Sequence, residues 1–174
     1  MSAGDDIDDD LSRRLAAVRL LSLDVDGVQT DGGVYVDDAG MVSRRFHVHD
    51  GVGIQRVMGA GIQVVIMSAG RSGSIEHRAE RLGVKYVYTA VRDKLAILRD
   101  LAQDLEIPME HVAHVGDDLN DLALLRAVGC PLTVPGAMAE NRAVARYVTE
   151  RRGGDGAVRE ICDLILAARD QVPG

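Results

Sequence analysis

Three observations predict an α/β fold in which a parallel sheet is flanked by helices. Apolar runs of strand length alternate with stretches of helical period from one end of the chain to the other. Aromatic residues are scarce, with one Phe and no Trp, whereas Val, Leu, Ile, Ala and Gly abound, a composition suited to strands covered on both faces. The length of 174 residues suits a single domain able to bury a core without a disulfide or zinc staple.

Taken in order, residues 1–10 read as an acidic, solvated tail carrying Asp5, Asp6, Asp8, Asp9 and Asp10, so the domain spans 11–174. A short helix through Leu15 and Ala16 precedes an apolar strand, Val18 to Val25, which ends in Asp24 and Asp26 with Gly27 at the turn beyond. Val34-Tyr35-Val36 and Val42 to Val48 flank the turn-forming Asp37-Asp38-Ala39-Gly40, which predicts a β-hairpin over about 33–48 projecting from the end of strand one. Asp50 is positioned to cap a helix carrying Val52, Val57 and Met58 and stopping at Gly59 or Gly61. Ile62 to Met67 forms the second core strand. Ser72 or Ser74 opens a helix with Ile75, Ala79 and Leu82 on one face, Gly83 closes it, and Val84 to Val87 supplies a third strand. Asp93 caps a helix with Leu95, Leu98, Ala102 and Leu105 on one stripe, ahead of Pro108. His111 to Val115 is a strand running into Gly116-Asp117-Asp118, and Leu119 to Val128 a helix closed by Gly129. Leu132 to Val134, a short helix near Met138, Tyr147-Val148 and a final helix with Val158, Ile161, Leu164 and Ile165 complete the alternation.

The net charge of -7 argues against a nucleic-acid partner, which would call for clustered Lys and Arg. No apolar run approaches the ~20 residues of a spanning helix, and the N-terminus is acidic where a secretory signal would be basic. Cys130 and Cys162 lack metal or redox spacing, so reduced thiols in a cytoplasmic, soluble protein are expected.

In a parallel sheet the ligand site lies beyond the carboxyl ends of the strands. Four polar places fall there or at a helix start: Asp24 to Thr30, Ser68, Lys94, and Gly116 to Asp121. Clustered carboxylates repel one another unless a cation neutralises them, and hard oxygen donors suit Mg²⁺, with Asp24, Asp117 and a backbone carbonyl as protein ligands. A metal beside an ammonium and a hydroxyl makes a pocket for a dianionic phosphoryl group. One aspartate can attack phosphorus while a second protonates the departing oxygen, so the residues point to transfer of a phosphoryl group to water.

These stretches resemble the four motifs of the haloacid dehalogenase superfamily of phosphatases, in the same order. Nearly end to end, the chain is similar to the capless branch containing 3-deoxy-D-manno-octulosonate 8-phosphate phosphatase and the nonulosonate 9-phosphate phosphatases; Leu20 to Gly33, Phe46 to Gly53, Val112 to Asp118 and Gly153 to Leu166 carry the likeness. The resemblance implies a Rossmann-like core with a projecting hairpin and no cap domain. It implies a Mg²⁺-dependent enzyme that forms an aspartyl-phosphate from an eight- or nine-carbon keto-acid sugar phosphate, or from another sugar phosphate. Asp24 would be nucleophile and metal ligand, Asp26 the acid/base and a ligand through its carbonyl, and Asp117 the remaining ligand. Ser68, Lys94 and Gly27 would hold the phosphoryl group, and Asp118 and Asp121 would orient Lys94 and metal-bound water. The branch further implies a homotetramer whose hairpins cover neighbouring sites.

Some positions depart from that pattern. Gln29 stands where Leu is usual, with no chemical consequence expected. Arg71 follows Ala69-Gly70, one residue later than the family's Gly-Arg, and reads either as an anion clamp or as a solvated helix start. His49 replaces a basic residue and reads either as a substrate contact or as an exposed histidine. Thr30 and Arg159 are further candidate substrate contacts. A receiver-like signalling domain would place its acidic pair and phosphoacceptor on different strands. A non-catalytic oligomerisation domain, like that of sialic-acid cytidylyltransferases, would not need the full carboxylate set.

Overall fold

The computed structural model describes residues 8–71 and 73–171. The first seven residues of the expected tail lie outside the described residues, as does Ser72. The last three tail positions belong to the fold: Asp8 caps helix α1 (Asp9–Ala16), its carboxylate accepting from the Leu11 N–H at 2.8 Å. Asp9 and Asp10 occupy the first turn, where negative charge complements the helix dipole, and Arg146 pairs with both Asp8 and Asp10.

Six parallel strands form the sheet in the order β5 (Tyr86–Tyr88), β4 (Gln63–Met67), β1 (Leu20–Leu23), β6 (Val112–Val115), β7 (Cys130–Thr133), β8 (Tyr147–Val148). In the central register, Leu23 stands between Ile66 of β4 and Val115 of β6. Strand order reverses on either side of β1, and the crevice at such a switch point is where a doubly wound sheet takes its ligand. All four residues of β1 are buried, as the two-sided cover of a parallel sheet requires.

Alternation along the strands divides the core into two layers. Leu21, Leu23, Val64 and Ile66 face α2 (Val48–Gly59) and α7 (Ala157–Asp170) through Ile54, Val57, Ile161 and Ile165. Leu20, Val65, Met67 and Val112 face α4 (Lys94–Asp104) and α5 (Leu122–Ala127) through Leu98, Leu101 and Leu124. Each such side chain, when fully buried, contributes about 1.5–3 kcal/mol relative to exposure. Helices α3 (Gly73–Leu82) and α6 (Ala139–Val144) complete the cover.

The hairpin pairs β2 (Tyr35–Val36) with β3 (Val42–Ser43), antiparallel and separate from the main sheet. Its second arm is shorter than expected because His47 caps α2, its ring nitrogen accepting from the His49 N–H at 3.3 Å. Asp50 therefore does not cap its own helix. It lies buried in the first turn of α2 and accepts from the Arg159 N–H at 2.8 Å, satisfying a free donor at the start of α7 instead. The expected Leu119–Val128 helix divides into a 3-10 turn over Leu119–Asp121 followed by α5.

Candidate active site

Asp24 leaves the end of β1 with its N–H donating to the Val115 carbonyl at 3.0 Å, so neighbouring strands fix the start of the loop. The Val25 carbonyl then accepts from the N–H groups of Val28, Gln29 and Thr30, which winds the chain into a tight turn. Gly27 in this turn has φ +84°, and a Cβ there would lie 1.9 Å from Asp117 Oδ2. Only glycine meets both conditions. The Gln29 side chain, buried, donates to the Asp24 carbonyl at 2.9 Å, so it anchors the backbone of the candidate nucleophile. That anchoring role is one the sequence had not suggested. The loop after β8 packs directly on this turn: a Cβ on Gly153 would lie 1.8 Å from the Gly27 carbonyl oxygen, and Gly154 N–H donates to the Val28 carbonyl.

Asp117 follows β6, and the adjacent turn returns Asp121 to the same point. Asp24, Asp117 and Asp121 each offer a carboxylate oxygen, and these atoms lie within 4.8 Å of one another. Asp117 Oδ1 and Asp121 Oδ2 are buried without a hydrogen-bond partner. Burial and then the nearby Asp121 charge push Asp117 up to about 6 and raise Asp24 well above the usual carboxylate range, against the pull of Lys94. Crowded hard oxygens, two of them unsatisfied, fit a divalent cation such as Mg²⁺.

Lys94 opens α4, where Asp93 caps the helix by accepting from the Ala96 N–H at 3.0 Å. Its ammonium, with only 1% of the side chain exposed, donates to Asp24 Oδ1 at 2.8 Å and to Asp121 Oδ1 at 2.6 Å. Burial alone would depress the lysine, but the two carboxylates outweigh it and raise it above its ordinary value. Behind Asp121 stands a buried, hydrogen-bonded histidine. His114 Nε2 lies 3.2 Å from Asp121 Oδ1, and its Nδ1 lies 2.9 Å from Ser22 Oγ, all buried in the α4 layer. A carboxylate can only accept, which puts the ring proton on Nε2 and leaves Nδ1 to accept from the Ser22 hydroxyl. Burial holds His114 below its ordinary pKa and so neutral, while the His114 and Lys94 contacts keep Asp121 well below the usual range despite its own burial. Ser22 and His114 sit in adjacent register on β1 and β6, a pairing that only the sheet reveals.

Ser68 follows β4, buried, its N–H donating to the Tyr88 carbonyl and its Oγ accepting from the Gly70 N–H at 3.1 Å. A cavity of about 260 Å³ is lined by Asp24, Asp26, Gly27, Ser68, Gly70 and Asp117 among others, which brings three of the four sequence motifs to one place, with Lys94 joined to them through its hydrogen bond to Asp24. Asp26 is held from the hairpin side: Arg44 Nε donates to Oδ1 at 2.7 Å and Nη2 to Oδ2 at 3.1 Å.

Of the remaining candidates, Asp118 borders the same cavity and the others fall elsewhere. Asp118 is exposed and caps the 3-10 turn by accepting from the Leu119 N–H, so Asp121 alone of that pair reaches Lys94. Thr30 is fully buried and braces the loop, its Oγ1 accepting from the N–H groups of Gly27 and Gly32. Arg71 is exposed and absent from the cavity lining. His49 lies exposed in the first turn of α2, its ring 5.1 Å from that of His47. Arg159 pairs with Asp163 at 2.7 Å and borders a different cavity on α7. The exposure of Arg71 agrees with the solvated helix start, and the cation that does reach the site is Arg44, whose only sequence signal was a position at the base of the hairpin.

Comparison with known proteins places these features in context. Residues 87–161 match the family model of haloacid dehalogenase-like hydrolases. The 3-deoxy-D-manno-octulosonate 8-phosphate phosphatase of Yersinia pestis is 41% identical over 166 residues, covering 95% of this chain and 89% of that protein. Its Escherichia coli K12 counterpart is 39% identical over 163 residues, 94% and 87% of the two chains. Among solved structures, the Moraxella catarrhalis 3-deoxy-D-manno-octulosonate 8-phosphate phosphatase in complex with magnesium, phosphate and the octulosonate superposes with a TM-score of 0.90 at 36% identity, covering 92% of each chain. The cobalt-bound Haemophilus influenzae phosphatase gives 0.87 at 34% identity, covering 91% of this chain and 92% of that one.

Proposed function

Since the chain belongs to the haloacid dehalogenase-like hydrolases, in the branch of the octulosonate 8-phosphate phosphatases, we propose that it hydrolyses an acidic sugar phosphate, 3-deoxy-D-manno-octulosonate 8-phosphate, with Mg²⁺ as cofactor. The observation that carries this reading is the convergence of Asp24, Asp117 and Asp121 carboxylates on one point, with the Lys94 ammonium against them.

Asp24 and Asp117, with the Asp26 carbonyl, would hold the ion, which supplies charge neutralisation for the phosphoryl oxygens. Ser68 and Lys94 bind the phosphoryl group beside Gly27. An Asp24 oxygen forms a bond to phosphorus as the bond to the sugar oxygen breaks, and Asp26 gives that oxygen its proton. Water then attacks phosphorus and passes a proton to Asp26, which breaks the Asp24–phosphorus bond and releases inorganic phosphate. Asp121, tied to His114, keeps the ammonium on the Asp24 oxygen through both steps.

The hairpin presents Tyr35 at 63%, Val36 at 64% and Met41 at 69% exposure, a surface that supports assembly into a homotetramer, to be checked by sedimentation. Cys130 and Cys162 are buried free thiols, in keeping with a reducing cytoplasm. No helix among the described residues is long and apolar enough to cross a membrane. The test is phosphate release from a panel of sugar phosphates with and without a carboxylate. Turnover should require Mg²⁺ and vanish in Asp24→Asn; full activity in that variant or in excess chelator would remove the mechanism.

A further inference from the structure

Both oxygens of Asp26, the group that must face the departing sugar oxygen, are occupied by the Arg44 guanidinium at 2.7 and 3.1 Å. Arg44 is 4% exposed in its side chain, and its remaining nitrogen lies 3.4 Å from Ser74 Oγ, so the arm is packed in place. A Cβ placed on Gly70 would lie 3.1 Å from Arg44 Nη2, 3.5 Å from Asp26 Oδ2 and 3.5 Å from Ser68 Oγ. Cation, acid/base and phosphate-binding hydroxyl therefore border one gap. Arg44 also lines a groove of about 570 Å³, while its partner Asp26 and Ser68 line the phosphate cavity. The guanidinium thus joins the two, bound to Asp26 of the cavity and lining the groove.

Resting on the phosphatase reading above, we propose that Arg44 determines specificity by exchanging partners: it holds Asp26 when no substrate is bound and passes to a carboxylate on the sugar when an acidic sugar phosphate enters. The exchange replaces one charge-assisted, two-pronged contact by another, so it proceeds with little net loss. A neutral sugar offers no such replacement, and Asp26 is freed only by breaking the pair. The acid/base is thus released by the substrate class that can satisfy the arginine. No bond is made or broken and no proton moves in this step.

The experiment compares wild type, Arg44→Gln and Arg44→Lys on three phosphate esters: 3-deoxy-D-manno-octulosonate 8-phosphate, a neutral hexose 6-phosphate and p-nitrophenyl phosphate. In Arg44→Gln, the ratio of kcat/KM for the acid sugar to that for the neutral sugar should fall by about 10- to 100-fold, the worth of one charge-assisted contact. Arg44→Lys should restore part of that ratio. In the folded wild type, the Arg44 Nε resonance should shift on adding the free octulosonate and stay in place with neutral hexose. Equal losses on all three esters would mean that the arginine serves the phosphoryl group, and would overturn the proposal, as would an unchanged ratio. Failure of wild type to hydrolyse any of the esters with Mg²⁺ would instead reject the phosphatase reading.

Discussion

Replacing Lys94 by Met keeps the volume of the side chain and removes its charge from between two carboxylates. The ammonium stands 2.8 Å from Asp24 and 2.6 Å from Asp121, nearly out of reach of solvent. Removing one partner of a buried pair costs about 3–5 kcal/mol, because the charge left behind is neither solvated nor paired. For a domain of this size each kcal/mol moves Tm by about 2–4 °C, so a drop of about 6–20 °C is expected at pH 7.5 in chelator. Far-UV circular dichroism is the suitable probe, since the chain has no Trp. The deficit should narrow on acidification. Without Lys94, Asp24 is a carboxylate whose folded pKa, raised by burial and by the Asp121 charge, lies above the unfolded one, so the folded state binds an extra proton as pH falls and regains stability. Turnover should fall by about 10²–10³, the range for losing a preorganised charge contact in the transition state. A variant melting within about 2 °C of wild type at pH 7.5, with turnover intact, would refute the idea that this ammonium holds the carboxylate cluster together.

The raised Asp117, at about 6, makes Mg²⁺ compete with a proton: the thermal shift produced by the ion should be large at pH 7.5 and shrink as pH falls through about 6. In chelator the sign for this group is the reverse of an ordinary acid pair, since its folded pKa exceeds the unfolded 3.8 and its contribution to stability is lost as pH rises from about 4 to 6, which a Tm series would show. Gly27→Ala should cost about 1–2 kcal/mol in left-handed backbone strain and, because its Cβ would meet Asp117 Oδ2 at 1.9 Å, should weaken Mg²⁺ binding more than it lowers Tm. Calorimetric Mg²⁺ titration of that variant would show unchanged affinity if the close approach were unimportant.

The motif residues at strand ends were legible because their signal is local. An apolar run followed by Asp24-Val25-Asp26-Gly27, or by Gly116-Asp117-Asp118, marks where a buried strand meets polar chemistry. Element boundaries were less legible where capping competes. Asp50 looked like a cap, yet His47 captures that role and Asp50 serves α7, a partner 109 residues away. Gln29 seemed incidental until the turn aimed its amide at the Asp24 carbonyl.

Period and composition by themselves determined the parallel α/β architecture, and the four motifs in order singled out the side chains proposed for phosphoryl chemistry. Only the tertiary structure decided which groups hold those side chains in place. Asp121, not Asp118, reaches Lys94; Ser22 and His114 stand behind it from two strands; Arg44 faces Asp26. The physical reason is range: strand and helix signals are written over a few neighbouring residues, whereas a hydrogen bond between side chains 92 positions apart exists only once β1 and β6 are in register.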